Sequence, residues 1–184
     1  MRVYLPATVS LLRALIDTSE FGPPPLTAFA VTPGLREWYV DDDIDSLEYA
    51  ASAEAARASL RLMAADPSAV PRRVVVAAEL PDDAVTVRDD LDRGVVRLAA
   101  AVPMQQIASV HVDDADASDA VRAAVAVIDA ADLGDADAED AVDDTEGFEL
   151  GWYATQELGA LLELLDVPPD SPVPPVTPVT PSAG

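Results

Sequence analysis

The sequence contains no cysteine, no lysine and no asparagine among its 184 residues. Without cysteine the chain has no disulfide framework, no thiolate nucleophile and no cysteine-based zinc site. Both lysine and asparagine are encoded by AT-rich codons, so their absence indicates a GC-rich genome rather than a structural requirement. The absent cysteines therefore exclude whole classes of chemistry, whereas we draw no structural conclusion from the absent lysines.

Glycine and aromatic residues are also scarce, at 8 glycines and an aromatic share of 5%. Phosphate-cradling loops need closely spaced glycines, and nothing matches a P-loop, a dinucleotide fingerprint, a nucleophile elbow or a zincin helix. No apolar run approaches the ~20 residues of a membrane span, and Arg13 and Asp17 interrupt any signal-like segment. Because 50% of the residues are hydrophobic, the expectation is a globular, cytoplasmic protein with a core of Ala, Val and Leu.

Negative charge dominates, since 34 acidic residues and 11 arginines give a formal net charge of −23. An anionic surface repels phosphate backbones and anionic lipids, so we expect no nucleic-acid or membrane partner and regard a basic protein as a possible partner. The segment 113–149 holds 14 acidic residues and one arginine. A hard-cation site, a docking patch and a solvated surface all remain open for it. The nearest approach to a calcium loop has Asp140 where the loop requires glycine, and the sequence predicts no cofactor.

Hydrophobic periodicity predicts one domain over residues 1–166 in which strands and helices alternate. Strands 95–102 and 107–112 are joined too closely for a crossover helix, so we expect them to pair antiparallel. The class predicted is α+β or α/β, with a single mixed β-sheet and helices packed on it. The other expected strands are 2–5, 26–32, 74–80 and 84–87. The expected helices begin after the N-cap Thr8, at Pro33, near Asp45, near Ala117 and near Thr145. The last of these helices is expected to run to Leu165.

The segment 167–184 contains seven prolines and no large apolar side chain except valine. Proline donates no backbone hydrogen bond, and the segment has little apolar surface to bury. We therefore predict a disordered tail, in which Pro172 to Pro175 resemble generic proline-rich ligands.

Two aromatic clusters stand out in so aromatic-poor a chain. Trp38 and Tyr39 follow Arg36, and Trp152 and Tyr153 fall within the last predicted helix. Tryptophan, tyrosine and arginine are enriched at interfaces, so both clusters are candidates for a pocket or a partner surface. The alternative is that they anchor the core beside small neighbours.

His111 is the only histidine of the chain. On a strand it shares a face with Ser109 and Asp113, because side chains alternate between the two faces. A general base oriented by the Asp113 carboxylate is one hypothesis, and a structural histidine is the other. A single histidine without cysteine does not make a dedicated zinc site.

Several segments resemble those of a family of uncharacterised proteins from high-GC Gram-positive bacteria. The resemblance extends to about residue 165 and implies no activity. The segments that carry it are Met1 to Thr8, Leu26 to Tyr39, Glu48 to Met63, Arg72 to Pro81, Ile107 to Asp114 and Gly151 to Leu158.

The order of the elements also resembles that of the ADP-ribosyltransferases. That resemblance implies that Arg2 would hold NAD and that Thr27 or Thr32 would supply the hydroxyl. The resemblance also implies a glutamate late in the chain. Gln105 and Gln106 lie near the position where that glutamate is expected, and glutamine carries no charge to stabilise an oxocarbenium-like transition state. The first hypothesis is therefore a non-catalytic binding or regulatory module that works through protein contacts. The alternative is a degenerate ADP-ribosyltransferase-like protein that binds NAD or a nucleotide.

Overall fold

The computed structural model describes residues 1–39 and 43–165. The strands in these residues are β1 (Arg2–Ala7), β2 (Glu20–Phe21), β3 (Leu26–Ala30), β4 (Val74–Glu79), β5 (Val85–Val87), β6 (Val95–Leu98), β7 (Val102–Pro103), β8 (Ile107–Asp113) and β9 (Leu150–Tyr153). The helices are α1 (Val9–Thr18), α2 (Pro33–Trp38), α3 (Ile44–Ala64), α4 (Ser118–Asp132), α5 (Ala136–Asp143) and α6 (Leu158–Leu165). The predicted tail at 167–184 lies outside the described residues.

The main β-sheet has seven strands in the order β5-β6-β3-β1-β4-β8-β9. Every neighbouring pair in it is antiparallel, so the α+β class is confirmed and the mixed sheet is wrong. The interleaved helices favoured parallel crossovers, but α1 and the loop after it return the chain so that β3 runs against β1. The sequence separation of the strands does not reveal this return.

The predicted pairing of strands 95–102 and 107–112 is also wrong. β6 pairs with β3 and β5, whereas β8 pairs with β4 and β9. The end of the first predicted strand forms β7, which pairs with β2 in a separate two-stranded ribbon. A short link between two strands allows a hairpin but does not require one. Here the chain forms the β2–β7 ribbon after β6 and then enters β8, which lies on the other side of β1 in the sheet.

Helices cover both faces of the sheet. On one face, α1 and α6 bury residues such as Leu12, Leu15 and Leu158 against β1 and β4. On the other face, α3 packs Leu47 and its alanines against the sheet. A third cluster joins the C-terminal half of α3 to α4 and α5. β4 is buried at every position except Glu79, as the apolar run at 74–80 predicts for a strand covered on both sides.

The ends of the helices explain much of the chain path. Thr8 caps α1 as predicted, because its hydroxyl accepts a hydrogen bond from the Leu11 N–H. α4 ends at Asp132 and is followed by Gly134, whose φ of 86° is the left-handed conformation that glycine adopts without strain. None of the described helices is long and apolar enough to cross a membrane.

The predicted helix from Thr145 to Leu165 is wrong in its first half. Residues 150–153 form the edge strand β9, and α6 begins only at Leu158. Leucines at helical spacing suggested one continuous helix, but Gly151 is a poor helix former and the aromatic Trp152 and Tyr153 suit a strand better. Pairing with β8 satisfies their backbone groups.

One buried serine ties α3 to the sheet. The Ser59 hydroxyl donates to the carbonyl of Ala7 at 2.6 Å and accepts from the N–H of Val74 at 3.1 Å. Ala7 and Val74 are paired residues at the ends of β1 and β4. Ser59 is fully buried, so this bridge fixes the position of α3 over the sheet.

Candidate functional site

A cavity of about 330 Å³ lies between α3 and the sheet and opens towards the chain between α5 and β9. Its walls combine apolar and aromatic side chains with carboxylates and two arginines. The lining residues are Tyr4, Glu48, Tyr49, Ser52, Ala53, Ala56, Arg57, Arg73, His111, Val142, Thr145, Glu146, Phe148, Glu149 and Leu150.

Strand register builds the sheet side of the cavity. Tyr4 on β1, Ala77 on β4 and Ser109 on β8 are cross-strand neighbours and share one face. His111 lies two residues further along β8 and has Trp152 as its neighbour on β9. The small Ala77 leaves space between Tyr4 and the β8 side chains, and alanines on the facing side of α3 leave more.

A polar chain closes the end of the cavity near the start of α3. The Tyr4 hydroxyl donates to Glu48 Oε2 at 3.1 Å, and Arg2 Nη1 donates to the same oxygen at 3.3 Å. Arg2 Nε donates to Glu79 at 2.7 Å. Burial and the neighbouring Glu48 carboxylate raise the pKa of Tyr4 to about 12, so the phenol stays protonated at neutral pH.

A buried ion pair holds the opposite wall. Arg73 donates from Nη2 to Asp113 Oδ1 at 2.8 Å and from Nε to Oδ2 at 2.9 Å. The same guanidinium donates to the Thr145 hydroxyl at 3.2 Å and to the Phe148 carbonyl at 2.8 Å. The Arg73 side chain is 5% exposed and that of Asp113 is fully buried. The pair therefore fastens the chain between α5 and β9 to the sheet.

His111 is held by Ser109 rather than by Asp113. Its Nε2 lies 3.1 Å from the Ser109 hydroxyl, and Asp113 is bonded to Arg73. The hypothesis of a general base oriented by Asp113 is therefore wrong, because the carboxylate is committed to the guanidinium. Burial, with a smaller effect of Arg2, lowers the pKa of His111 below its ordinary value of 6.5, so the imidazole is neutral at pH 7.

We expect His111 to make stability fall in mild acid. Between 6.5 and the lower pKa of the folded state, the unfolded chain binds the proton more readily, so the free energy of unfolding decreases as pH falls. His111→Gln keeps a partner for Ser109 and removes this proton. Urea unfolding at neutral pH and at pH about 5.5 should show a smaller loss of stability in the variant. Equal losses in both proteins would contradict the assignment.

The mouth of the cavity is negatively charged. Glu146 and Glu149 form no ion pair with any described residue. Burial, the nearby Asp92 and, less strongly, Glu146 raise the pKa of Glu54, against the opposite effect of Arg57. The lining arginines offset this charge only in part, because Arg73 has Asp113 as its partner and Arg57 divides its charge between Glu54 and Asp132, which Arg61 also binds.

A shallower depression continues from the cavity along α3. It is lined by Tyr39, Asp45, Ser46, Tyr49, Ala50, Ala53, Glu54 and Glu146. Tyr49, Ala53 and Glu146 also line the cavity, so the two form one continuous surface, the α3 groove. Tyr49 is 72% exposed and Tyr39 42%. Beyond Tyr39, the Arg93 guanidinium stacks 3.5 Å from the centre of the Trp38 ring.

The residues matched to an NAD site are not brought together. Arg2 and Thr27 share a face of the sheet but lie at opposite ends of β1 and β3, about 13 Å apart along the strands. Thr32 is fully buried, and its hydroxyl accepts from the N–H of Leu35 at 3.1 Å and donates to the Arg93 carbonyl. Thr32 is therefore the N-cap of α2.

The two aromatic clusters lie in different parts of the structure. Tyr39 lines the far end of the α3 groove and Trp38 lies in an adjoining depression, with Arg36 exposed on the last turn of α2. Trp152, 61% exposed, lies on the edge strand beside His111. Tyr153 points to the opposite face and packs against the core beneath α1 and α6.

Sequence analysis did not predict most of the lining residues. The exceptions are His111, Tyr39 and the acidic segment 113–149, which supplies Glu146 and Glu149 to the cavity. Alternation along β1 places Arg2 and Tyr4 on one face, and the spacing of Glu48 and Ser52 places both on one side of α3. These two signals were present in the sequence. The partnership of Arg73 with Asp113 becomes visible only when β4 and β8 are known to be neighbours.

The structure defines an α+β protein in which an antiparallel sheet, a long helix and a fastened loop enclose an acidic, partly aromatic cavity. No group of three acidic or histidine side chains in the described part of the chain is placed to hold a metal ion. Residues 1–162 match a family of unknown function (DUF6912), and the chain belongs to this family. No curated protein and no solved structure matches the chain.

Proposed function

We propose that this protein is a non-catalytic binding module that recognises a basic segment of a protein partner along the α3 groove. The observation that carries the proposal is the composition of the groove, which combines the exposed rings of Tyr39 and Tyr49 with the carboxylates of Asp45, Glu54 and Glu146. Aromatic faces and carboxylates both attract guanidinium and ammonium groups.

The surrounding charge supports the same partner. The net charge of −23 attracts a basic segment over several ångströms and accelerates its encounter with the surface. Long-range attraction is not selective, so the groove has to supply the specificity. The exposed tyrosines suit this role because aromatic side chains give contact area at low conformational cost.

The polar groups of the cavity favour binding over catalysis. Asp113 is committed to Arg73, the Tyr4 hydroxyl is committed to Glu48, and burial keeps His111 neutral with Ser109 as its partner. A general base needs a substrate proton within reach, and the hydroxyl within reach of His111 is that of Ser109, a residue that is only 6% exposed.

Neutralising one groove carboxylate should weaken binding of a basic peptide more than neutralising a carboxylate elsewhere. The probe is a synthetic peptide of alternating arginine and serine, titrated by calorimetry in low and physiological salt. We expect Glu146→Gln to reduce affinity roughly two- to fivefold, the effect of one partly solvated ion pair. Glu163→Gln on α6, at the other face of the sheet, makes the same change in net charge and should leave affinity unchanged.

Equal affinities of the two variants would mean that the peptide responds to net charge alone, and would contradict the groove. Tyr49→Ala serves as a second test, because losing a cation–π contact of about 0.5–1 kcal/mol should weaken binding two- to fivefold without changing the charge. Three further expectations stay predictions that accompany this proposal: a cytoplasmic location, no binding to nucleic acid, and a source among high-GC Gram-positive bacteria.

A further inference from the structure

We infer that the cavity beside α3 receives a single cationic group on an apolar stem, a guanidinium or an ammonium, with Glu48 as its acceptor. This inference rests on the proposed function and assigns the deepest contact of the basic partner. The groove outside the cavity would then attract the segment, and the cavity would select one side chain of it.

The size of the cavity fits one such group. A volume of about 330 Å³ is at the lower end of the range of small-ligand pockets, so it suits a side chain or a small molecule and not a folded element. The apolar part of the wall, from Ala53, Ala56, Val142 and Leu150, matches a methylene stem. The rings of Tyr49 and Phe148 add faces on which a cation is stabilised.

An acceptor is available inside. Glu48 uses Oε2 for Tyr4 and Arg2, while its Oε1 accepts no hydrogen bond from a described residue. The Glu48 side chain is only 28% exposed, so an ion pair made there is screened less than one at the surface. His111 is uncharged at neutral pH and does not repel a cation.

The cations of the wall already have partners. Arg73 is neutralised by Asp113. Arg57 shares Asp132 with Arg61 at 3.5 Å and also acts on Glu54, so its charge is partly balanced by carboxylates outside the cavity. Glu146 and Glu149 at the mouth have no such partner among the described residues, so an entering cation meets uncompensated negative charge. The chain also holds one of its own guanidiniums, that of Arg93, on the face of Trp38 in the depression next to the groove. This contact is an example of the same chemistry close to the groove.

The test compares charge with shape. One peptide carries a single arginine flanked by glycine and serine, and its twin carries citrulline, which has nearly the same shape and no charge. We expect the arginine peptide to bind at least about tenfold more tightly, because a buried hydrogen bond to a charged group contributes about 1.5–3 kcal/mol. Equal binding of the two peptides would overturn the inference.

The position of the group is tested by filling the cavity. Ala53→Phe places a ring in the cavity from a half-buried position, and should reduce affinity for the arginine peptide at least tenfold. Ala126→Phe on the exposed side of α4 is the matched control and should bind as the wild type does. Glu48→Gln, which preserves volume, should cause a similar loss to Ala53→Phe even if the aromatic variant is less stable. Full binding by both cavity variants would overturn the inference.

Free agmatine distinguishes the two sources of the same chemistry. If agmatine binds as tightly as the arginine peptide, the cavity takes a free small cation, and if the peptide binds more tightly, it takes a protein side chain. Either result supports the inference. If the arginine–serine peptide loses affinity in Glu146→Gln but not in Ala53→Phe, the proposed function stands and this inference fails.

Discussion

Replacing Arg73 by alanine is expected to lower the free energy of unfolding by roughly 3–5 kcal/mol, the largest effect among the variants considered. The substitution leaves the Asp113 carboxylate buried without its counter-charge. It also removes the hydrogen bonds to Thr145 and to the Phe148 carbonyl, which fasten the chain between α5 and β9. Urea unfolding followed by circular dichroism measures the loss.

An exposed ion pair in the same protein is the matched control. Arg61 donates to Asp132 from Nε at 2.6 Å and from Nη2 at 2.7 Å, a geometry close to that of the Arg73 pair, but its side chain is 41% exposed. Arg61→Ala should cost no more than about 1 kcal/mol, because solvent screens the pair. Similar losses in both variants would contradict the view that burial sets the strength.

A double variant separates attraction from desolvation. Replacing Arg73 by methionine and Asp113 by leucine removes both buried charges and keeps much of the volume. We expect this double variant to be more stable than either Arg73→Ala or Asp113→Ala, because neither charge is left unpaired. If the double variant is less stable than both single variants, the attraction between Arg73 and Asp113 exceeds the cost of burying the two charges.

Ser59→Ala should lower the free energy of unfolding by about 2–4 kcal/mol. The hydroxyl satisfies two buried backbone groups, the carbonyl of Ala7 and the N–H of Val74, and each such group costs about 1–3 kcal/mol when it is left without a partner. A second effect is expected in hydrogen exchange, since the Val74 N–H should exchange faster than in the wild type.

Ser52→Ala is the control for that prediction. Ser52 lies on the same helix, faces the cavity and makes no side-chain hydrogen bond to a described residue. The change should alter stability by less than about 0.5 kcal/mol, and alanine is the better helix former. Comparable losses at positions 52 and 59 would show that the Ser59 bridge adds nothing to stability.

Sequence patterns that span only three or four residues predicted the cap of α1 and the buried face of α4 correctly. Thr8 caps α1 as expected. The sequence places Val121, Ala124, Val125 and Ile128 at helical spacing, and α4 buries all of them except Val125, which is half-buried. These features depend on residues three or four positions apart, where backbone geometry alone fixes the contacts.

Features that depend on distant strands were missed. On α3 the pattern predicted a face through Leu47, Ala51, Ala55, Ala58 and Leu62, whereas the structure buries Ser59 and Met63 and leaves Leu62 partly exposed. Burial of a serine is expected only where its hydroxyl can bond to otherwise unpaired backbone groups. For Ser59 these groups are the Ala7 carbonyl of β1 and the Val74 N–H of β4. The candidate site depends on the same long-range pairing, which is why the sequence pointed only to His111, Tyr39 and the acidic segment that holds Glu146 and Glu149.

The α3 wall of the cavity has an evolutionary consequence. Ser52 and Ala53 are half-buried, small and outside the main core clusters, so larger side chains there would reshape the cavity while strand register and the Ser59 bridge stay in place. Members of one family could in this way diverge in the ligand they select while conserving a common scaffold. The residue types at these two positions would then sort the family into groups of different specificity.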